Sequence, residues 1–334
     1  MATHTVKQDG SGDYTNITDA LAACNASDTV EIQDSETYSE GNLSRIRASL
    51  TIKAGAGHSP VLDGGGTLAC AIKFYNFWRI EGLTITNYTG AGLNGAGLVS
   101  ISGNRVATIY NCTLYNLADT AIVDLKTGSL VSNCTIYNIH TLQLSARGID
   151  AGVQGVTVEQ CLIYDVINSG INTTSASSLI EQCTVYNTGY GGNTSYAILA
   201  SLGTAKWNVV VDPQHNLGGA GLRAGSHSYN CVSGSENASD GNFYDGAGTG
   251  DTESDPFLIT GSLRPGAGSA ATGGAVGSTT LKDILSGSRT WNYDQKVIGV
   301  NTGATPYDMG AIEATYTTVN GTDTQYISKV LGVS

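Results

Sequence analysis

The chain has 334 residues, with 28 acidic against 16 basic side chains, a net charge of −12 and charged residues at 13 %. A surface this acidic is a poor match for nucleic acid, which needs clustered Lys and Arg, and no apolar run approaches the roughly 18 residues of a membrane span. Apolar content of 40 % argues against a disordered chain, and 44 glycines without a Gly-X-Y period exclude collagen.

Residues 1–25 read as a strand followed by a short capping helix. Asn16 or Thr15 is placed to cap it, Asp19 sits in its first turn, and Ile17, Leu21 and Cys24 form one apolar face. No basic segment leads into an apolar one here, so no secretory signal is expected.

Residues 26–254 carry a repeat, read as roughly nine coils. Five segments align: I-E-G-L-T-I-T-N (80–87), I-Y-N-C-T-L-Y-N (109–116), V-S-N-C-T-I-Y-N (131–138), V-E-Q-C-L-I-Y-D (158–165) and I-E-Q-C-T-V-Y-N (180–187). Their fourth position is Leu83, Cys112, Cys134, Cys161 and Cys183, giving steps of 29, 22, 27 and 22 residues. Cys231 lies 48 residues further on, close to two more steps. Short β-prone segments at this period indicate a solenoid of strand, bend and strand. Stacking then predicts three columns. Cys112, Cys134, Cys161 and Cys183 form an internal column of small buried side chains. Asn87, Asn116, Asn138, Asp165 and Asn187 form a turn ladder, in which both Asn138 and Asn187 could donate to Asp165. Tyr115, Tyr137, Tyr164 and Tyr186 form an outward aromatic column, which serves coil stacking, subunit contact or glycan contact.

Gly234 to Gly250 reads as a long loop. Residues 255–315 read as an irregular closing region, with the low-complexity stretch Gly266 to Gly277 wrapping the surface. Residues 316–334 form a tail that docks on the domain or on a neighbouring subunit.

The repeats resemble the right-handed parallel β-helix superfamily, which includes pectin-degrading enzymes and phage tailspikes. The stretch V-K-Q-D-G-S-G-D-Y-T-N-I-T-D-A-L (6–21) is similar to the start of pectinesterase-like domains, where it leads into a helix that plugs the first coil. The stretches D-P-F-L-I-T-G-S-L-R-P-G-A-G-S-A (255–270) and Y-D-M-G-A-I-E (307–313) resemble the closing segment of microbial β-helix proteins. The fold class expected is all-β, a right-handed parallel β-helix with a short N-terminal capping helix and an irregular C-terminal region.

The resemblance prompts a search for catalytic groups. The arginine motif and Gln-Asp set of pectinesterases are missing. Gly225-Ser226-His227 and Arg147-Gly148-Ile149-Asp150 are the nearest forms to the polygalacturonase motifs, in the wrong order. No dense carboxylate cluster of the pectate lyase kind appears. The remaining candidates are Asp119, Asp124, Asp150 and Asp165, with Lys126, His140 and Arg147 nearby on adjacent coils, where two carboxylates could approach to glycosidase distances. The competing reading makes Asp150 and Arg147 a local ion pair. His215 and His227 read as ordinary loop residues, and sequons such as Asn111-Cys112-Thr113 have turn and strand roles. The glycine-rich stretches 55–66 and 90–97 lack the strand-turn-helix context of a phosphate loop. Seven cysteines without a CxxC or Cys/His pattern predict neither zinc nor disulfide staples, so no metal and no cofactor is expected.

Three functions are compatible with this reading. The favoured one is a virion structural protein, a phage capsid decoration or tail-associated β-helix, homotrimeric and in contact with a capsid or tail protein after assembly in the host cytoplasm. The second is a polysaccharide lyase or glycoside hydrolase, including an enzymatic tailspike. The third is a secreted or cell-surface glycan-binding protein.

Overall fold

The computed structural model describes residues 1–45, 49–90, 96–100, 106–140, 145–152, 154–189, 195–211, 221–228, 230–233, 248–249 and 251. Beyond these it describes two short antiparallel pairs, Lys282–Asp283 with Gly287–Ser288 and Thr317–Val319 with Thr322–Thr324. The expectations for the loop 234–247, the closing region and the tail otherwise lie outside the described residues, as does His215.

The chain winds through three sheets in turn, and the strands of successive coils pair in parallel. One coil runs from Ala107–Tyr110 in the first sheet to Thr113–Leu117 in the second and Ile122–Val123 in the third. The next coil begins at Leu130–Ser132, in register with Ala107–Tyr110. The second sheet stacks nine strands, from Thr37–Tyr38 to Cys231–Ser233. Two longer strands, Ile198–Lys206 and Leu222–Ser228, continue from the third sheet into the first. The architecture is an all-β, right-handed parallel β-helix, with one helix among the described residues.

Side chains alternate in and out along a strand, so in-register stacking turns each inward position into a column. In the first sheet the column is Val30, Ile52, Ile80, Ile109, Val131, Val158, Ile180 and Ala205. In the second it is Leu62, Ile85, Leu114, Ile136, Ile163, Val185, Val210 and Val232. In the third it is Leu43, Ile72, Leu98, Ile122, Ile149, Ile171, Ile198 and Leu222. All are buried in one continuous core. Branched side chains with restricted rotamers suit this pleated interior, and each contributes about 1.5–3 kcal/mol of transfer free energy.

The open first coil is plugged by the helix Ile17–Ala23, which packs on Thr3–Val6, Thr29–Ile32 and Leu43–Ser44. Asn16 is its cap: Asn16 Oδ1 accepts from Asp19 N at 2.8 Å. Glu40 completes the cap from a neighbouring coil, accepting from Ile17 N and Thr18 N, each at 2.8 Å. Anionic oxygens at a helix N-terminus satisfy orphan donors and face its partial positive charge. Asp28 ties down the chain start, accepting from Ala2 N at 2.6 Å and Asn25 N at 2.8 Å. These two backbone bonds are the chief reason its carboxyl is held down at about 2.

Candidate functional site

The first corner, between the first and second sheets, uses a residue at positive φ followed by an inward one. Asn111, Asn133, Gln160 and Gln182 have φ of 54–56°, a region that favours Gly, Asn and Asp over most residues. Their amides pair along the axis, Asn133 Nδ2 donating to Asn111 Oδ1 at 3.2 Å and Gln160 Nε2 to Gln182 Oε1 at 2.8 Å. The sequence reading missed these amides, although each directly precedes a column cysteine.

Cys112, Cys134, Cys161 and Cys183 follow them and are buried. They sit at the corner, one residue before the second-sheet strand. Each thiol contacts the carbonyl two residues before it, at 3.2–3.4 Å. Each also reaches a first-sheet carbonyl of the preceding coil, as Cys134 does with Ile109 at 3.9 Å. A hydrogen bond with Cys134 and burial hold the Cys112 thiol well above its usual range, and burial foremost does the same for Cys134 and Cys161.

The column does not pass to Cys231. Asn208 and Asn230, both fully buried, take the next two places, and Cys231 pairs one residue further on with Val209. Asn208 Nδ2 donates to Ile180 O at 3.0 Å and Asn230 Nδ2 to Ala205 O at 3.1 Å, as the thiols do one coil earlier. Their oxygens add a second chain of bonds: Asn208 Oδ1 accepts from Cys183 N at 2.9 Å and Asn230 Oδ1 from Asn208 N at 3.0 Å. Asp251 ends the series, accepting from Asn230 N at 2.6 Å, Gly248 N at 2.6 Å and His227 Nδ1 at 2.6 Å. His227 is therefore not a loop residue: it lies half-buried in the strand Leu222–Ser228, its side chain against a fully buried carboxylate. Burial pushes Asp251 up, but the hydrogen bonds from His227, Asn230 and Gly248 outweigh it and hold the group below the usual range.

At the second corner Asn87, Asn116, Asn138, Asp165 and Asn187 all have positive φ. Asn138 Nδ2 donates to Asn116 Oδ1, Asn187 Nδ2 to Asp165 Oδ1 at 2.6 Å, and Asn87 Nδ2 to Asp63 Oδ1 at 3.1 Å. Asp165 thus receives Asn187 but not Asn138, which turns its amide nitrogen to Asn116. Beside this ladder, Tyr115, Tyr137, Tyr164 and Tyr186 lie in register and half-buried on the outer face of the second sheet. Tyr115 and Tyr137 stack at 4.9 Å and 3°, and Tyr137 and Tyr164 at 4.9 Å and 1°. Burial, with a neighbouring tyrosine second, raises Tyr137, and with Tyr137 and Asp165 pushes Tyr164 up to about 12.

Among the described residues no hydrogen bond joins any two of the four aspartates, although Asp150 pairs in register with Val123, the neighbour of Asp124. Asp119 accepts from Thr120 N at 2.6 Å and Thr120 Oγ1 at 3.2 Å. Asp124 is an exposed corner residue at φ 59°. Asp150 bonds Arg147 Nη1, Gly152 N at 3.0 Å and Asn172 Nδ2 at 2.8 Å. Among the described residues no two of these carboxylates share a hydrogen-bond partner. Lys126 follows the third-sheet strand of its coil and His140 the second-sheet strand of the next, so they flank different corners.

Three stacked parallel sheets with buried corner ladders define a β-helix protein. Residues 69–250 match the family model described as a right handed beta helix region, and the chain belongs to that family. The crystal structure of pectate lyase Pel9A is similar in fold, with a TM-score of 0.52 over 94 % of this chain and 96 % of that one, at 12 % identity. No curated protein matches the sequence.

Proposed function

We propose that this chain is a structural β-helix, a shape-persistent rod rather than an enzyme, and that it serves as a virion component in three copies on a capsid or tail. One observation carries the reading: Asp165, Asp150 and Tyr137, which the sequence singles out for chemistry, each contact a neighbouring coil. Asp165 is a ladder rung, and Asp150 is bonded to Arg147, Gly152 and Asn172. Tyr137 has a ring on each face at 4.9 Å, so neither face is open to a sugar. Fold alone does not carry activity across from a lyase at 12 % identity.

The test pairs light scattering with a screen of acidic and neutral polysaccharides for cleavage. The reading expects a trimer, no cleavage, and an Asp150→Asn variant altered in stability alone. A monomer, or a cleavage activity that Asp150→Asn abolishes, overturns it.

A further inference from the structure

The amides of the first corner begin at Asn111. Asn111, Asn133, Gln160 and Gln182 place amides at this corner and Trp207 takes the place after them, while the corner before Asn111 holds Gly82, at φ 71°. One coil earlier the corner is longer, with residues 55–60 between Leu50–Ala54 and Val61–Asp63, and forms a wall. Between wall and ladder lies a cleft of about 400 Å³, bordered by Gly55, His58, Ser59, Glu81, Gly82 and Asn111. Its volume is in the range of small-molecule sites. Asn111 Oδ1 already accepts from Asn133. Asn111 is exposed, and its Nδ2 has no hydrogen-bond partner among the described residues.

We infer that the cleft binds an N-acetylated amino sugar, whose acetamido group takes the place of the absent rung. The acetamido oxygen accepts from Asn111 Nδ2, as the ladder amides do for one another. Glu81 has one oxygen on Arg79 Nε at 2.9 Å, which leaves the other to accept from the acetamido N–H or a hydroxyl. Ser59, Thr84 and Thr113 line the same cleft and suit ring hydroxyls. The Glu81 carboxylate bordering the cleft, on a chain of net charge −12, disfavours an anionic sugar.

The experiment titrates the whole chain with N-acetylglucosamine by saturation-transfer NMR and calorimetry, with glucose as control. Gly82→Asn supplies the missing rung; asparagine already holds this backbone conformation at Asn111 and Asn133, and the new Cβ would meet Ala54 Cβ at 3.1 Å. Asn111→Ala removes the donor from an exposed position. Expected are N-acetylglucosamine binding at least about tenfold tighter than glucose, and a loss of about tenfold or more in each folded variant, with a lower Tm for Asn111→Ala, which puts alanine at positive φ and removes the acceptor of Asn133. No binding of N-acetylglucosamine, equal binding of glucose, or full binding by Asn111→Ala overturns the proposal. Asn111→Ala decides the matter if Gly82→Asn does not fold.

Discussion

The corner column has a thiol half, Cys112 to Cys183, and an amide half, Asn208 to Asp251. Both halves satisfy a first-sheet carbonyl of the preceding coil. The amide half also accepts backbone N–H groups through Asn208 Oδ1, Asn230 Oδ1 and Asp251 Oδ1. A thiol is a weak donor that can be lost cheaply, whereas a buried amide with every bond made leaves orphans when removed. The same position is therefore filled by packing in one half and by a polar network in the other.

The largest effect expected is for Asn208→Leu, which orphans Cys183 N and Ile180 O in a site with no exposure. It should cost about 3–5 kcal/mol, read as a fall in the urea midpoint. Asn208→Cys keeps a donor for Ile180 O and loses the acceptor, so its cost should fall to about half of that. Cys134→Ala should cost only about 1–2 kcal/mol, since it removes one small buried group. If Cys134→Ala proves as costly as Asn208→Leu, the two halves do not differ as described.

Acid should act on the ends before the middle. The Asp28 carboxyl is held down at about 2, and Asp251 is also lowered. A carboxyl depressed in the folded state contributes stability that is complete above its unfolded value of about 4. That contribution is lost as pH falls below this value, for Asp28 by about pH 2. Hydrogen exchange at pH 3 should show the strands Thr3–Val6 and Leu222–Ser228 opening ahead of the thiol coils. Uniform opening would count against the comparison.

The smallest perturbation expected is none at all. Buried thiols raised above their usual range are poor nucleophiles. A thiol reagent at neutral pH should label Cys112, Cys134 and Cys161 only after unfolding, as mass spectrometry of each peptide would show.

Most of the fold was legible in the sequence because stacking forces like residues into like places. The Cys, Asn and Tyr columns follow from one aligned period, and the plug helix and its apolar face from the cap at Asn16 and the spacing of Ile17, Leu21 and Cys24. Where chemistry changes along a column, the alignment fails: Asn208 and Asn230 replace cysteine, and Cys231, close to two further steps on, falls one residue past the column. The amides at Asn111 and Asn133 were overshadowed by the cysteines beside them. His227 and Asp251 are 24 residues apart in the chain and meet only because one coil separates them. The aspartates lie on adjacent coils, but Asp119 and Asp150 bond residues of their own coil segments and Asp165 is a rung of the corner ladder.

Register also bears on size. Asn133 lies 22 residues from Asn111, and Gln182 lies 22 from Gln160. One further segment of that length would bring its own corner amide, inward column residue and outer tyrosine. It would extend the molecule by one strand spacing, about 4.8 Å, without disturbing either end. Length in this protein is thus a copy number, adjustable by duplication within the gene, while its width is set by side chains that every copy repeats.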